Sequence, residues 1–308
     1  MKRRLVCLHG RGQHGKDPDR LRRVWVAGLN RGLTLAGLPP VDSGQVVFLY
    51  YGDLISEQIR ILQTRAVPAE RAADVAVGGD GMLPGLAVAA DDEVVDLQMQ
   101  LLFQATARAG RPLPAARATA TRGILDELQK IEAIQAALDW ASDAAPWMGE
   151  RLLYLVTRDV SLYLTKRRIR EAIQNSLVQQ LLSEIGPDGE MILITHSLGT
   201  VVGLDLITRW ATAYVIPLLV TCGSPLGIPQ IYSRLEVQPQ PRFPSGVKRW
   251  LNIYDSRDVV ALEEDLAPLF GGELFDMRVQ NGDEPHAIDR YLGHEEVAEP
   301  IGSALEEA

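Results

Sequence analysis

A serine at the end of an apolar run, with aspartates and histidines following it at wide spacing, sets the chemical question in this chain. Ile192-Leu193-Ile194-Thr195-His196-Ser197-Leu198-Gly199-Thr200 reads as a strand running straight into Ser197, with a helix starting at Leu198. A sharp turn in that context lifts a hydroxyl clear of a sheet and sets it near a helix N-terminus, where it can act as a nucleophile. Small residues must flank such a serine, because the strand and the helix cross closely. Gly199 meets the demand. Thr195 stands where a glycine is more usual, although its side chain is short. The plainer reading of the same residues is that Ser197 merely caps the helix.

A serine hydroxyl is a weak nucleophile until a base takes its proton, and the base needs an acid to orient it. The five histidines are His9, His14, His196, His286 and His294. If acid and base follow the nucleophile in the chain, only His286 and His294 qualify. His286 comes after the last strand pattern and the loop at 281–285, at the start of the final helix, and is the preferred base. His294 lies farther along and is expected to face solvent or cap a turn. For the acid, the loop after Leu251-Asn252-Ile253-Tyr254 offers Asp255 and Asp258. Asp258 is preferred, because Val259-Val260-Ala261 can anchor the loop and bury the carboxylate. Asp255, at the strand end, can serve as a turn residue. Asp205 reads as structural.

Acyl transfer also needs two preorganised N–H donors for the developing oxyanion. The N–H of Leu198 is one candidate. The N–H of Arg11, in the loop opened by His9-Gly10, is the other, ahead of Gly12 and Gln13. The alternative for residues 9–12 is an ordinary strand-to-helix turn.

These residues must be positioned by alternating elements. Strand patterns occupy 5–8, 46–51, 191–195, 216–221, 247–254 and 274–279. Helical patterns occupy 19–35, 54–65, 94–109, 122–141, 145–185, 198–213 and 286–307. Residues 66–90, rich in Gly, Ala and Pro, read as a mobile loop. The fold class is therefore α/β, a mostly parallel sheet flanked by helices. Ligands bind such sheets outside the carboxyl ends of the strands, where the candidate serine, aspartate and histidine collect. We expect one domain over 1–308, with 54–185 a mainly helical insertion placed as a lid or cap.

Of 308 residues, 46% are hydrophobic and 23% charged, which is ordinary for a globular chain, and the formal net charge of −9 argues against nucleic acid as a partner. No stretch approaches the length of a membrane span. Cys7 and Cys222 are not spaced for a metal site and suit a reducing cytoplasm. In the insertion, Trp140, Trp147, Tyr154 and Tyr163 form either a core-packing stripe or the apolar face of a lid for a lipid-like acyl chain.

Together these stretches resemble the α/β-hydrolase superfamily. They are most similar to the serine lipase/esterase branch that includes the GPI inositol-deacylase-like and related bacterial hydrolases. The matching residues are Leu8-His9-Gly10 with Gly12-Gln13, Thr195 to Thr200, Thr221-Cys222-Gly223-Ser224-Pro225-Leu226-Gly227, Trp250 to Asp255 running on to Asp258-Val259, and His286 with Tyr291-Leu292. The resemblance implies Ser197 as nucleophile, Asp258 as acid and His286 as base, with no metal and no organic cofactor. It implies hydrolysis of a small-molecule or lipid-like carboxylic ester through an acyl-enzyme. An amidase or peptidase, an acyltransferase and a non-catalytic adaptor are the alternatives. The departures from the family pattern are Thr195 and the large insertion.

Overall fold

The computed structural model describes residues 3–66, 91–108, 150–210, 214–236, 238–261 and 265–307. The expected helix at 122–141, the expected loop from residue 67 on, Trp140 and Trp147 lie outside the described residues. The chain divides into two compact units, residues 1–51 with 172–308 and residues 52–171.

The first unit is built on six strands: β1 (Arg4–Leu8), β2 (Val46–Leu49), β3 (Glu190–His196), β4 (Val215–Cys222), β5 (Val247–Asp255) and β6 (Leu274–Val279). They form one all-parallel sheet in the order β2-β1-β3-β4-β5-β6. The helices among the described residues are α1 (Pro18–Leu35), α2 (Gly52–Ala66), α3 (Asp92–Arg108), α4 (Glu150–Thr165), α5 (Arg167–Glu184), α6 (Leu198–Trp210), α7 (Pro229–Tyr232), α8 (Ala267–Phe270), α9 (Ile288–Leu292) and α10 (Glu295–Glu306). The α/β class expected from the sequence is the class observed. Among the described residues no helix is long and apolar enough to cross a membrane.

Two continuous helical patterns are interrupted. The stretch expected at 145–185 breaks at Lys166, whose carbonyl accepts from the N–H groups of Ile169 and Arg170 and so opens α5. The stretch expected at 286–307 breaks at Gly293-His294, between α9 and α10. Glycine is a weak helix former, and His294 takes the N-cap position of α10.

The strand order reverses between β1 and β3. The chain steps outward from β1 to β2, then returns to β3 on the other side of β1. Such a switch point leaves a crevice at the carboxyl ends of the strands. Leu8 is level with Thr195 across the β1–β3 pair, so His9-Gly10 and His196-Ser197 leave the sheet side by side.

Successive side chains on a strand face opposite ways. Leu5 and Cys7, with Ile192, Ile194, Val220 and Ile253, join a buried cluster with Trp25, Leu29 and Leu33 of α1, Tyr291 and Leu292 of α9, and Val297 and Ile301 of α10. Both cysteines are buried and free, and burial raises both thiols far above their ordinary pKa. Helix α6 covers the opposite face. Gly203 on α6 lies against Thr195 and Leu8.

In the second unit, α3 packs against α4. Val94, Val95, Leu101 and Leu102 are buried in α3, and Val156, Val160 and Tyr163 in α4. Gln98 donates to Thr157 Oγ1 across this pair at 3.3 Å.

Helix α1 starts where local chemistry dictates. Asp17 caps it, with its carboxylate accepting from Asp19 N–H at 2.9 Å, and Pro18 occupies the first turn. The helix then carries a small-residue step, Gly28 and Gly32, into which α9 and the start of α10 sink. A methyl group on Gly28 would lie 2.7 Å from Asp289 Cα, and one on Gly32 would lie 2.7 Å from the carbonyl oxygens of Leu292 and His294. Arg31 closes the contact by donating to the Asp289 carbonyl at 2.8 Å and to its carboxylate at 2.9 Å. Because the atoms approached are two carbonyl oxygens and the Cβ of Ala298, none of which can rotate away, Gly32→Ala is expected to cost about 1–3 kcal/mol, read as a lower urea midpoint with an unchanged denaturant slope.

Candidate active site

Ser197 is the single residue between β3 and α6. Its φ is 55°, and it is the only non-glycine residue with positive φ among the described residues. Holding a serine there costs about 1–3 kcal/mol and requires surroundings that over-determine it. Those surroundings are present. Ser197 N–H donates to the Cys222 carbonyl at 3.0 Å. The Ser197 carbonyl accepts from Thr200 N–H at 2.9 Å and from the Thr200 hydroxyl at 2.8 Å. Since Thr200 Oγ1 donates to that carbonyl, the hydroxyl of Ser224, 2.8 Å away, donates to Thr200. Ser224 in turn accepts from Leu226 N–H at 3.2 Å. The strained backbone is thus fully bonded, whereas the buried Ser197 Oγ has no hydrogen-bond partner.

Close packing explains the small residues. A methyl on Gly199 would fall 2.4 Å from the His9 carbonyl oxygen, and one on Gly10 would fall 2.7 Å from Ser197 Cβ. The departure at Thr195 has a compensation four residues beyond the usual motif. A methyl on Gly203 would lie 2.9 Å from Thr195 Cγ2, so the space taken by threonine on the strand is vacated by glycine on the helix. Thr195 Oγ1 donates to the Val220 carbonyl at 3.1 Å, which satisfies its buried hydroxyl.

His9 fixes the neighbouring loop. Tyr51 N–H donates to His9 Nε2 at 3.0 Å, so the ring proton sits on Nδ1 and is given to the Gly10 carbonyl. The ring also stacks on Tyr51, with centroids 4.4 Å apart. A planar trans peptide points its C=O and N–H in opposite directions. Anchoring the Gly10 carbonyl therefore sets the direction of the Arg11 N–H, which follows the glycine packed against Ser197.

The structure brings Asp258 and His286 together. Asp258, 1% exposed, accepts from His286 Nδ1 on Oδ2 at 2.7 Å and from Val260 N–H on Oδ1 at 2.9 Å. The first bond fixes the imidazole tautomer and leaves Nε2 as the basic nitrogen. Asp255 does different work. Its carboxylate accepts from Arg257 N–H at 2.8 Å and from Asn281 N–H at 2.6 Å, tying the loop after β5 to the loop before His286. Asn281 holds the Pro285 carbonyl at 2.9 Å and pairs with His294 Nε2 at 3.1 Å. His294, expected to face solvent or cap a turn, thus supports the His286 loop through its half-buried side chain. Asp205 is buried and accepts from Glu236 N–H at 2.8 Å, a structural role.

The imidazole is placed next to the serine strand. Gly223 follows Cys222, the acceptor of Ser197 N–H, and a methyl on Gly223 would lie 2.7 Å from Asp258 Oδ2 and 3.1 Å from His286 Nδ1. The ring of His196, directly before Ser197, is 4.5 Å from that of His286, and its Nε2–H donates to the His286 carbonyl at 2.9 Å. No hydrogen bond joins Ser197 Oγ to the imidazole. Contacts of this kind commonly tighten only once substrate is in place. All these residues belong to the first unit.

Sequence reasoning gave no role to Tyr291, His196, Thr200 or Gly203. His196, Thr200 and Tyr291 stood only as members of the matching stretches, and Gly203 left the signal of a small residue one turn beyond Gly199 on the same helix. Among the described residues no group of three or more His, Cys, Asp or Glu side chains has metal-binding geometry. No family model, no characterised protein and no solved structure matches the chain.

Two consequences can be measured. Thr195→Ser removes the methyl that faces Gly203. In a double-mutant cycle, Thr195→Ser with Gly203→Ala is expected to be more stable than the sum of the singles by about 1 kcal/mol; additivity would show that the two residues do not share space. His196 is held well below the ordinary histidine pKa, by burial first and by the charge of His286 second. The unfolded chain then binds more protons, so this residue's contribution to stability is present above about pH 6.5 and is lost as pH falls through that value. Urea titrations from pH 7 to 5 should show a smaller loss for His196→Gln, which keeps an N–H donor and does not titrate.

Proposed function

We propose that the protein is a serine hydrolase of the α/β-hydrolase fold that cleaves a carboxylic ester through an acyl-enzyme. The observation that carries this reading is a serine held at φ 55° with a buried, unpartnered hydroxyl beside a hydrogen-bonded His286–Asp258 pair. A cap on a helix does not need that strain, and a structural serine would spend its hydroxyl on a neighbour.

In the proposed reaction, Ser197 Oγ attacks the ester carbonyl as His286 Nε2 takes its proton. Asp258 holds Nδ1–H and stabilises the imidazolium. The oxyanion forms against the N–H of Leu198, at the start of α6 where the first N–H groups have no intrahelical acceptor. The second donor is the Arg11 N–H, aimed by the His9–Gly10 bond. His286 then protonates the leaving alcohol, and water repeats the sequence to release the acid. The role of the helical insertion as a cap is part of the same proposal, supported by its place in the chain between β2 and β3.

Ser197→Ala should lower turnover of a p-nitrophenyl ester by about 10³-fold or more while leaving the thermal midpoint close to that of the parent. A fluorophosphonate should label the parent at Ser197, located by peptide mass. Labelling elsewhere, or unchanged turnover in the variant, refutes the reading; a panel of esters of graded acyl length then reports the preferred substrate.

A further inference from the structure

The carboxylate of Asp258 carries one more donor than the orientation of a histidine requires. Its Oδ2 accepts from His286 Nδ1 and from the Tyr291 hydroxyl, each at 2.7 Å. Tyr291 Oη itself accepts from Asp255 N–H at 3.0 Å. A phenol oxygen that accepts from an N–H on one side and faces a carboxylate on the other has its proton on the carboxylate side. Tyr291 thus clamps both ends of the turn that presents the acid, Asp255 at the end of β5 and Asp258 three residues on. The ring is fully buried. It stands on α9, whose first residue lies two positions after His286, so one short segment delivers both donors to Oδ2.

We infer that Tyr291 is a positioning residue that holds Asp258 Oδ2 in line with His286 Nδ1 and, by sharing that oxygen, limits the pull of the carboxylate on the imidazole. The inference rests on the reading of Asp258 and His286 as acid and base. Short hydrogen bonds to a charged oxygen are the strong ones. With the phenol removed, the carboxylate charge is less neutralised and favours the protonated imidazole; with a more acidic phenol, the reverse holds. The groups facing this pair are Asp255 and Asp258 on the acid loop, His196 from the end of β3, Ser197, and the Cys222 thiol of β4. None is altered by a change at 291. The phenol stays protonated, since burial and then the Asp258 charge push it well above its ordinary pKa.

The test uses the full chain with labelled histidine, and follows the ring titration of His286 by NMR in the parent, in Tyr291→Phe and in Tyr291→3-fluorotyrosine. The titration midpoint should rise by about half a pH unit or more in Tyr291→Phe and fall in the fluorinated variant, whose hydroxyl is the stronger donor. The acid limb of the pH–rate profile for p-nitrophenyl ester turnover should move the same way. At the pH optimum, kcat/KM of Tyr291→Phe should drop about tenfold, equivalent to about 1.4 kcal/mol, through kcat rather than KM. Opposite displacements by the two variants are an outcome that a packing role would not give. Midpoints identical to the parent, or displaced in the same direction, overturn the inference. Should Tyr291→Phe fail to fold, the fluorinated protein, which differs by one atom, decides the question. Absence of fluorophosphonate labelling at Ser197 in the parent would refute the hydrolase reading; the ring titration, which needs no turnover, still decides whether Tyr291 controls the pair.

Discussion

Everything at this site depends on one backbone torsion. A serine with φ of 55° is stable only where its N–H and C=O are already committed, and here both are, to Cys222 and to Thr200. The strand before it and the helix after it can then cross at contact distance, which in turn demands Gly199 against the His9 carbonyl and Gly10 against the serine itself. The hydroxyl left over is buried without a partner, while the groups that fix the chain carrying it, Cys222, Thr200 and Ser224, are bonded to its backbone and to one another. Strain and unsatisfied polarity coincide at one residue, a coincidence that folding alone does not favour.

The second half of the site is held in a different manner. Asp258 and His286 lie on loops after β5 and β6, where no regular hydrogen bonding fixes them. Their order comes from a web of side chains to backbone: Asp255 to Asn281, Asn281 to Pro285, His294 to Asn281, and Tyr291 to both Asp255 and Asp258. Helix α9 transmits the position of α1 to this web, since Gly28, Gly32 and Arg31 fix where α9 can lie. The loops are therefore tied to the packing that places α9.

How much of this was legible in the sequence follows from how local each cause is. Ser197 was marked by an abrupt change of hydrophobic period, Asp258 by the apolar step behind it, and His286 by its place after the last strand. Each signal spans a few residues. The sheet and its parallel sense were legible for the same reason, as alternation of strand and helix patterns. Thr195 read as a fault in the motif because its compensation, Gly203, sits on another element, and the facing of helix and strand is set by packing. The part played by Tyr291 was invisible because it depends on the direction of one O–H bond. The interruptions at Lys166 and Gly293 were missed because apolar spacing persists across them.

The pairing of β1 with β3 has a consequence for assembly. Leu8 meets Thr195, and the helix that follows Ser197 rests on the His9 carbonyl, so one side of the turn bearing the serine is completed only when a segment near residue 5 docks beside one near residue 192. A ribosome must emit nearly two hundred residues before that pairing can form. The bend at Ser197 also waits for Cys222, its support from the neighbouring strand, which is made later still. Any cleavage that removed β1 with His9 and Gly10 would strip one wall from the turn, even with the serine, the aspartate and the histidine all still on one chain.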